Sequence, residues 1–223
     1  MVRPHRRPGA ERAIPTTRRH AREWAVQLLF ALDAAVRGDT PSAASLDLPI
    51  VFEDFWEEQY RLRLEEQGLS DDETAAALLE DGWRDLVATR ATRAFCEAIV
   101  EGVFLHLAEI DSAIERSSDH WALDRMGGVE RSVLRMGAWE LLFRSGEVPR
   151  AVAINEAVDV CKYFGMRESA RFVNGLLDRI ADLAGVPRRP GSDASAPPAP
   201  DGSAPAGPGA PDDHATETWT PGD

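Results

Sequence analysis

The run from Val129 to Ala184 constrains this chain most: VERSVLRMGAWELLFRSGEVPRAVAINEAVDVCKYFGMRESARFVNGLLDRIADLA. Its first part, about 129–145, is apolar on nearly every side, through Val133, Leu134, Met136, Ala138, Trp139, Leu141, Leu142 and Phe143. A helix apolar all round is a central, buried one. Glu140 and Arg144 stand four apart and read as a pair facing water. Gly146 and Pro149 end the pattern. A second helix, about 150–164, places Ile154, Ala157, Val158, Cys161 and Phe164 on one stripe, with Asn155, Asp159 and Lys162 opposite. Gly165 then suits a left-handed C-terminal position. A third, about 167–184, repeats the period with Phe172, Val173, Leu176, Leu177, Ile180 and Leu183. Gly175 costs a helix about 1 kcal/mol against Ala, and the return expected there is close approach of another helix.

The rest of the chain reads in the same period. Residues 18–36 carry Ala21, Trp24, Ala25, Leu28, Leu29 and Leu32 on one face, with Thr16 or Thr17 as the cap. A linker at 37–49 leads to a helix at about 50–67. Its aromatic face is Phe52, Phe55, Trp56, Tyr60 and Leu64, read as packed on the core, with partner binding as the other reading. Ser70 and Glu73 form a capping box opening a helix that reaches about 89. Another, about 91–116, carries Phe95, Ile99, Val103, Leu107, Ile110 and Ile114. No stretch alternates with period 2 for long enough to be a strand. The expected fold is therefore all-α: one compact domain, 17–186, of six or seven helices. Residues 1–16 read as a disordered basic arm. Residues 187–223 read as a disordered tail: 23 of the last 34 residues are Pro, Gly, Ser or Ala, too few apolar groups to offset chain entropy.

The net charge of −13 argues against a protein that coats nucleic acid with its whole surface. It is unevenly spread: +6 over residues 1–22, −15 over 23–187 and −4 over 188–223. Arg18, Arg19, His20 and Arg22 crowd the first turns of the first helix, where cations oppose the macrodipole. A purely structural helix prefers acids there, so the cluster points to an anionic ligand. Arg is favoured over Lys along the whole chain, 24 to 1, so that bias reflects composition and not the site.

Other chemistry is thinly represented. Cys96 and Cys161 read as reduced core thiols. Glu97, Glu101 and His106 lack the Glu-x-x-His spacing of helical di-metal sites and read as surface charge. There is no His-Glu-x-x-His, P-loop or dinucleotide glycine fingerprint. No nucleophile is paired with a base, so the chain does not read as an enzyme, and no cofactor or metal is expected. No apolar run reaches membrane-spanning length, and the N-terminus lacks the apolar core of a secretory signal.

Four pieces, in order and at fixed spacing, resemble the NusB family of transcription antitermination factors. They are Val129-Glu130-Arg131 with Val133-Leu134-Arg135, then Trp139-Glu140-Leu141, then Val152-Ala153-Ile154-Asn155-Glu156-Ala157, then Phe172-Val173-Asn174-Gly175 with Leu177-Asp178. The resemblance covers the first helix and about 91–184. It implies a NusB-like helical fold in which residues 38–90 form an enlarged insertion. It implies a cytoplasmic RNA-binding factor, monomer or homodimer in isolation. Such a factor binds boxA RNA with the ribosomal protein NusE, joins the RNA polymerase antitermination complex and promotes read-through in ribosomal RNA operons. Arg18, Arg19, Arg22 and Glu23, followed by Ala25 and Gln27, line up with the family's RNA-binding segment, and His20 stands where that pattern has a further Arg.

On this reading about four phosphates are neutralised and log affinity falls with log salt at a slope of roughly −3. Replacing Arg18, Arg19 and Arg22 together with Ala is expected to leave stability unchanged or slightly raised. Two alternatives remain. One is a helical protein-interaction module without RNA. The other is an RNA methyltransferase, since a NusB-like domain opens some of these, but that needs an α/β domain where residues 187–223 read as tail.

Overall fold

The structure is a computed structural model that describes residues 17–37, 47–69, 71–78, 82–118 and 123–188. The expected basic arm, the 38–46 part of the linker, Ser70 of the capping box and the tail from 189 lie outside these residues. The described residues belong to one compact unit, and all regular structure among them is helical. Among the described residues there are nine α-helices, seven of them eleven residues or longer: α1 Arg18–Arg37, α2 Leu48–Gln67, α3 Asp71–Leu78, α4 Trp83–Val87, α5 Arg90–Leu105, α6 Leu107–Ser117, α7 Gly128–Phe143, α8 Arg150–Tyr163 and α9 Ser169–Leu183. No described helix is long and apolar enough to cross a membrane.

The all-round apolar pattern of α7 is explained by its neighbours. It packs against α1, α5, α6, α8 and α9, and every residue from Arg131 to Leu141 is buried. Two glycines permit the close contacts. A Cβ on Gly137 would stand 2.7 Å from a Leu177 methyl and 3.3 Å from the Ala157 Cβ, so α7, α8 and α9 meet there. A Cβ on Gly102 of α5 would fall inside the Trp139 indole. Gly175 does no such work: nothing lies within 4 Å of the Cβ it lacks, and it faces outward. The expected close approach is at Gly102 and Gly137 instead.

Three more expectations need correcting. The helix expected to reach 89 is two short ones. Gly82, at φ +85°, lies just before α4 in the left-handed region that a continuing helix excludes. The helix expected over 91–116 breaks at His106, which closes α5 and opens α6. The His106 ring stacks on Phe143 of α7 at 3.8 Å, so the break is fixed by a tertiary contact. Finally, Glu140 does not face water with Arg144. It is fully buried, while Arg144 pairs with Glu147 at 2.5 Å.

Helix α2 fulfils the packing reading of its aromatic face. Phe52, Trp56, Tyr60 and Leu64 are buried, and Phe55 is half-buried. Trp56 meets Trp24 of α1 edge-on at 5.3 Å, and its indole N–H donates to Glu97 of α5 at 2.7 Å. Tyr60 stacks on Trp83 of α4. Asp47 caps α2 by accepting from the Ile50 N–H, and Gly68, at φ +83°, ends it. Gly165, at φ +80°, ends α8 as expected.

Candidate nucleic-acid interface

The head of α1 is capped by Thr17, whose hydroxyl oxygen accepts from the His20 N–H and lies 2.7 Å from the His20 ring. The first N–H groups of any helix lack helical acceptors, so this end carries partial positive charge. Facing it is the α7–α8 turn. The two form the sides of a cleft of about 640 Å³. Arg18, Arg19 and His20 line one side; Val148, Pro149 and Val152 line the other. Val152 is 44% exposed and offers an apolar surface beside the arginines.

The four residues singled out by sequence separate here. Arg18 is exposed, its guanidinium 4.9 Å over the Phe95 ring, and no described carboxylate is in ion-pair range of it. Arg19 has a half-exposed side chain and reaches α8, donating to Glu156 at 3.2 Å and to Asp159 at 2.7 Å. His20 is partly buried. Arg22 departs from the expectation. Its side chain is 3% exposed and grips Glu140 through Nε and Nη2 at 2.8–3.1 Å, with Nη1 3.5 Å from Glu156. A fork enclosed by two carboxylates has no face left for a phosphate. Replacing it with Ala leaves Glu140 buried without its partner, so the triple replacement is not neutral for stability.

The carboxylates also change the charge reading. Arg19, Arg22 and Lys162 are met by Glu140, Glu156 and Asp159, so the ion-paired part of the head of α1 is close to neutral and Arg18 adds a positive charge beside it. Burial pushes the Glu140 carboxyl up, and the Arg22 fork pulls it only part of the way back. Burial also raises Glu23, against the pull of His20 and Arg19. Asp159 is held below the usual carboxylate range by its hydrogen bond from Lys162, with Arg19 helping against slight desolvation.

Sequence reasoning missed Glu140, Glu156 and Asp159 as parts of this site. They lie 118 to 140 positions from the arginines they meet, and no local spacing could pair them. Glu97, Glu101 and His106 do not assemble: Glu97 takes the Trp56 indole and His106 pairs with Glu109. Among the described residues no three side chains capable of holding a metal come together.

A sequence model of the NusB family matches residues 58–182, more than half the chain. The transcription antitermination protein NusB of Geobacter sp. (strain M21) is 37% identical over 166 residues, covering 74% of this chain and 94% of that protein. The chain belongs to the NusB family. The NusB antitermination protein of Sorangium cellulosum (strain So ce56) is 50% identical over 103 residues, 46% of this chain and 73% of that one. Among solved structures, NusB of T. maritima aligns with a TM-score of 0.52 at 27% identity, covering 78% of this chain and 96% of that one. Membership makes the chain a transcription antitermination factor of NusB-like all-helical fold and not an enzyme. The family model's match begins inside α2 and does not itself reach the arginine-rich head of α1.

Proposed function

We propose that this NusB-family chain binds boxA RNA in the cleft between the head of α1 and the α7–α8 turn, together with NusE, as part of a cytoplasmic RNA polymerase antitermination complex. The observation that carries this is the pairing of outward arginines with the positive end of a helix. Arg18 and Arg19 are the exposed cations at an end where cations lower stability. A phosphate there meets guanidinium forks at the positive end of a helix. The apolar wall of Pro149 and Val152 suits the face of an unpaired base. Arg22 contributes from beneath by fixing α1 against α7 and α8 through Glu140 and Glu156.

The expected salt dependence changes accordingly. With Arg22 enclosed, Arg18 and Arg19 neutralise about two phosphates, giving a slope near −1.4 in log affinity against log salt from these two residues. Fluorescence anisotropy of labelled boxA RNA, with and without NusE, checks this. Salt-dependent binding that strengthens with NusE supports the reading; absence of binding in both conditions removes it.

A further inference from the structure

Glu156, which lines the cleft, and Asp159 of the same helix hold a solvent-accessible ion-pair cluster around Arg19. Both accept from the same Arg19 nitrogen, and each is held a second time, Glu156 by Arg22 at 3.5 Å and Asp159 by Lys162 at 3.3 Å. Withdrawing Arg19 toward a ligand therefore leaves both carboxylates in place. Only Arg19 Nη2 is engaged among the described residues, so a phosphate reaching Arg19 either takes its remaining donors or displaces a carboxylate, and in both cases comes to rest beside two negative charges. We propose that Glu156 and Asp159 are specificity-determining residues, resident competitors for phosphate at Arg19 that reject RNA lacking compensating base contacts. This rests on the RNA-binding reading above.

The physical argument is a difference between two ligands. Every RNA brings the same phosphates and meets the same repulsion. Only an RNA whose bases fit the Pro149 and Val152 wall, or another surface of the complex, gains enough to offset it. Selectivity is a difference of affinities, and repulsion against all ligands matters most for those with nothing else to gain. Asp159 is suited to the role because hydrogen bonds from Lys162 and Arg19 hold its carboxyl below its usual range. Without these carboxylates Arg19 would join Arg18 as a second guanidinium open to the phosphates of any single strand.

The test replaces the competitors with neutral isosteres, Glu156→Gln and Asp159→Asn, singly and together, in the full chain. Binding to boxA RNA and to an oligouridylate of the same length is followed by anisotropy over a range of salt, with circular dichroism confirming the fold. Each substitution is expected to tighten oligouridylate binding about three- to fivefold. The double variant should show a slope steeper by about 0.7, one more phosphate being neutralised. Affinity for boxA should rise less, so discrimination falls. A control, Glu58→Gln on the outward face of α2, should change neither. Unchanged oligouridylate binding in the double variant, while wild type binds boxA, overturns this inference alone. So does an equal gain in the Glu58 control, which would make the effect one of net charge. If wild type binds neither RNA, with or without NusE, the RNA-binding reading fails and this one with it.

Discussion

Helix α1 meets two arginine clusters, one at each end, and they are put to opposite uses. At the C-terminal end Asp33 accepts from Arg131 and Arg135 of α7, and Arg135 also forks onto Asp111 of α6 with both bonds at 2.8 Å. Arg131 further donates to the carbonyls of Leu123 and Met126. These arginine side chains are at most 10% exposed. At the head, Arg19 makes a comparable pair of carboxylate bonds with half its side chain in water. Residue type and partner type are the same at both ends; burial differs. Inside, an ion pair is an internal crosslink whose loss strands a charge. Outside, it is weak and open to exchange. Arg22 sits in the head by sequence but belongs with the buried cluster by environment.

The largest expected effect follows from that assignment. Arg22→Ala, or Glu140→Ala, removes one half of a buried pair and should cost about 3–5 kcal/mol in urea unfolding. A loss below about 1 kcal/mol would move Arg22 back to the exposed class. Next comes Trp56→Ala, which empties a site only 2% exposed and leaves Glu97 without its indole donor. About 3 kcal/mol is expected, and full wild-type stability would show that α2 is not docked on the core.

Asp33→Asn tests the buried cluster through pH. Burial pushes the Asp33 carboxyl up, but the hydrogen bonds from Arg131 and Arg135 outweigh it and hold it below its usual range. A carboxyl depressed in the folded state binds fewer protons there than when unfolded. Its contribution is therefore full above the ordinary carboxylate pKa and is lost as pH falls through the lower folded value. Asp33→Asn should be less stable than wild type by about 2 kcal/mol at neutral pH. The gap should close on acidification below about pH 4, where the unfolded carboxyl begins to protonate. A gap that stays constant with pH would mean the cost is packing and not charge.

Much of the fold was legible in the sequence because its signals are local. The burial of α7 follows from apolar residues on all its faces, the end of α8 from Gly165, and the packing of α2 from the spacing of Phe52, Trp56, Tyr60 and Leu64. The misreadings share one cause. The break at His106 has no Pro and involves a ring stacked on a residue 37 positions away. Glu140 looked like a surface residue because its partner, Arg22, lies 118 positions back. At the site, the excess of arginine was visible; the carboxylates that neutralise it, supplied by α7 and α8, were not.

The smallest expected change in stability carries the central claim, that Arg18 and Arg19 face a ligand while Arg22 holds the fold. The decisive measurement is a boxA titration by anisotropy, with NusE present, of the Arg18→Ala/Arg19→Ala double variant beside wild type, each with its unfolding curve. The account predicts unfolding within about 0.5 kcal/mol of wild type, with weaker binding and a salt slope shallower by about 1.4. Wild-type affinity and slope in a stable double variant would contradict it.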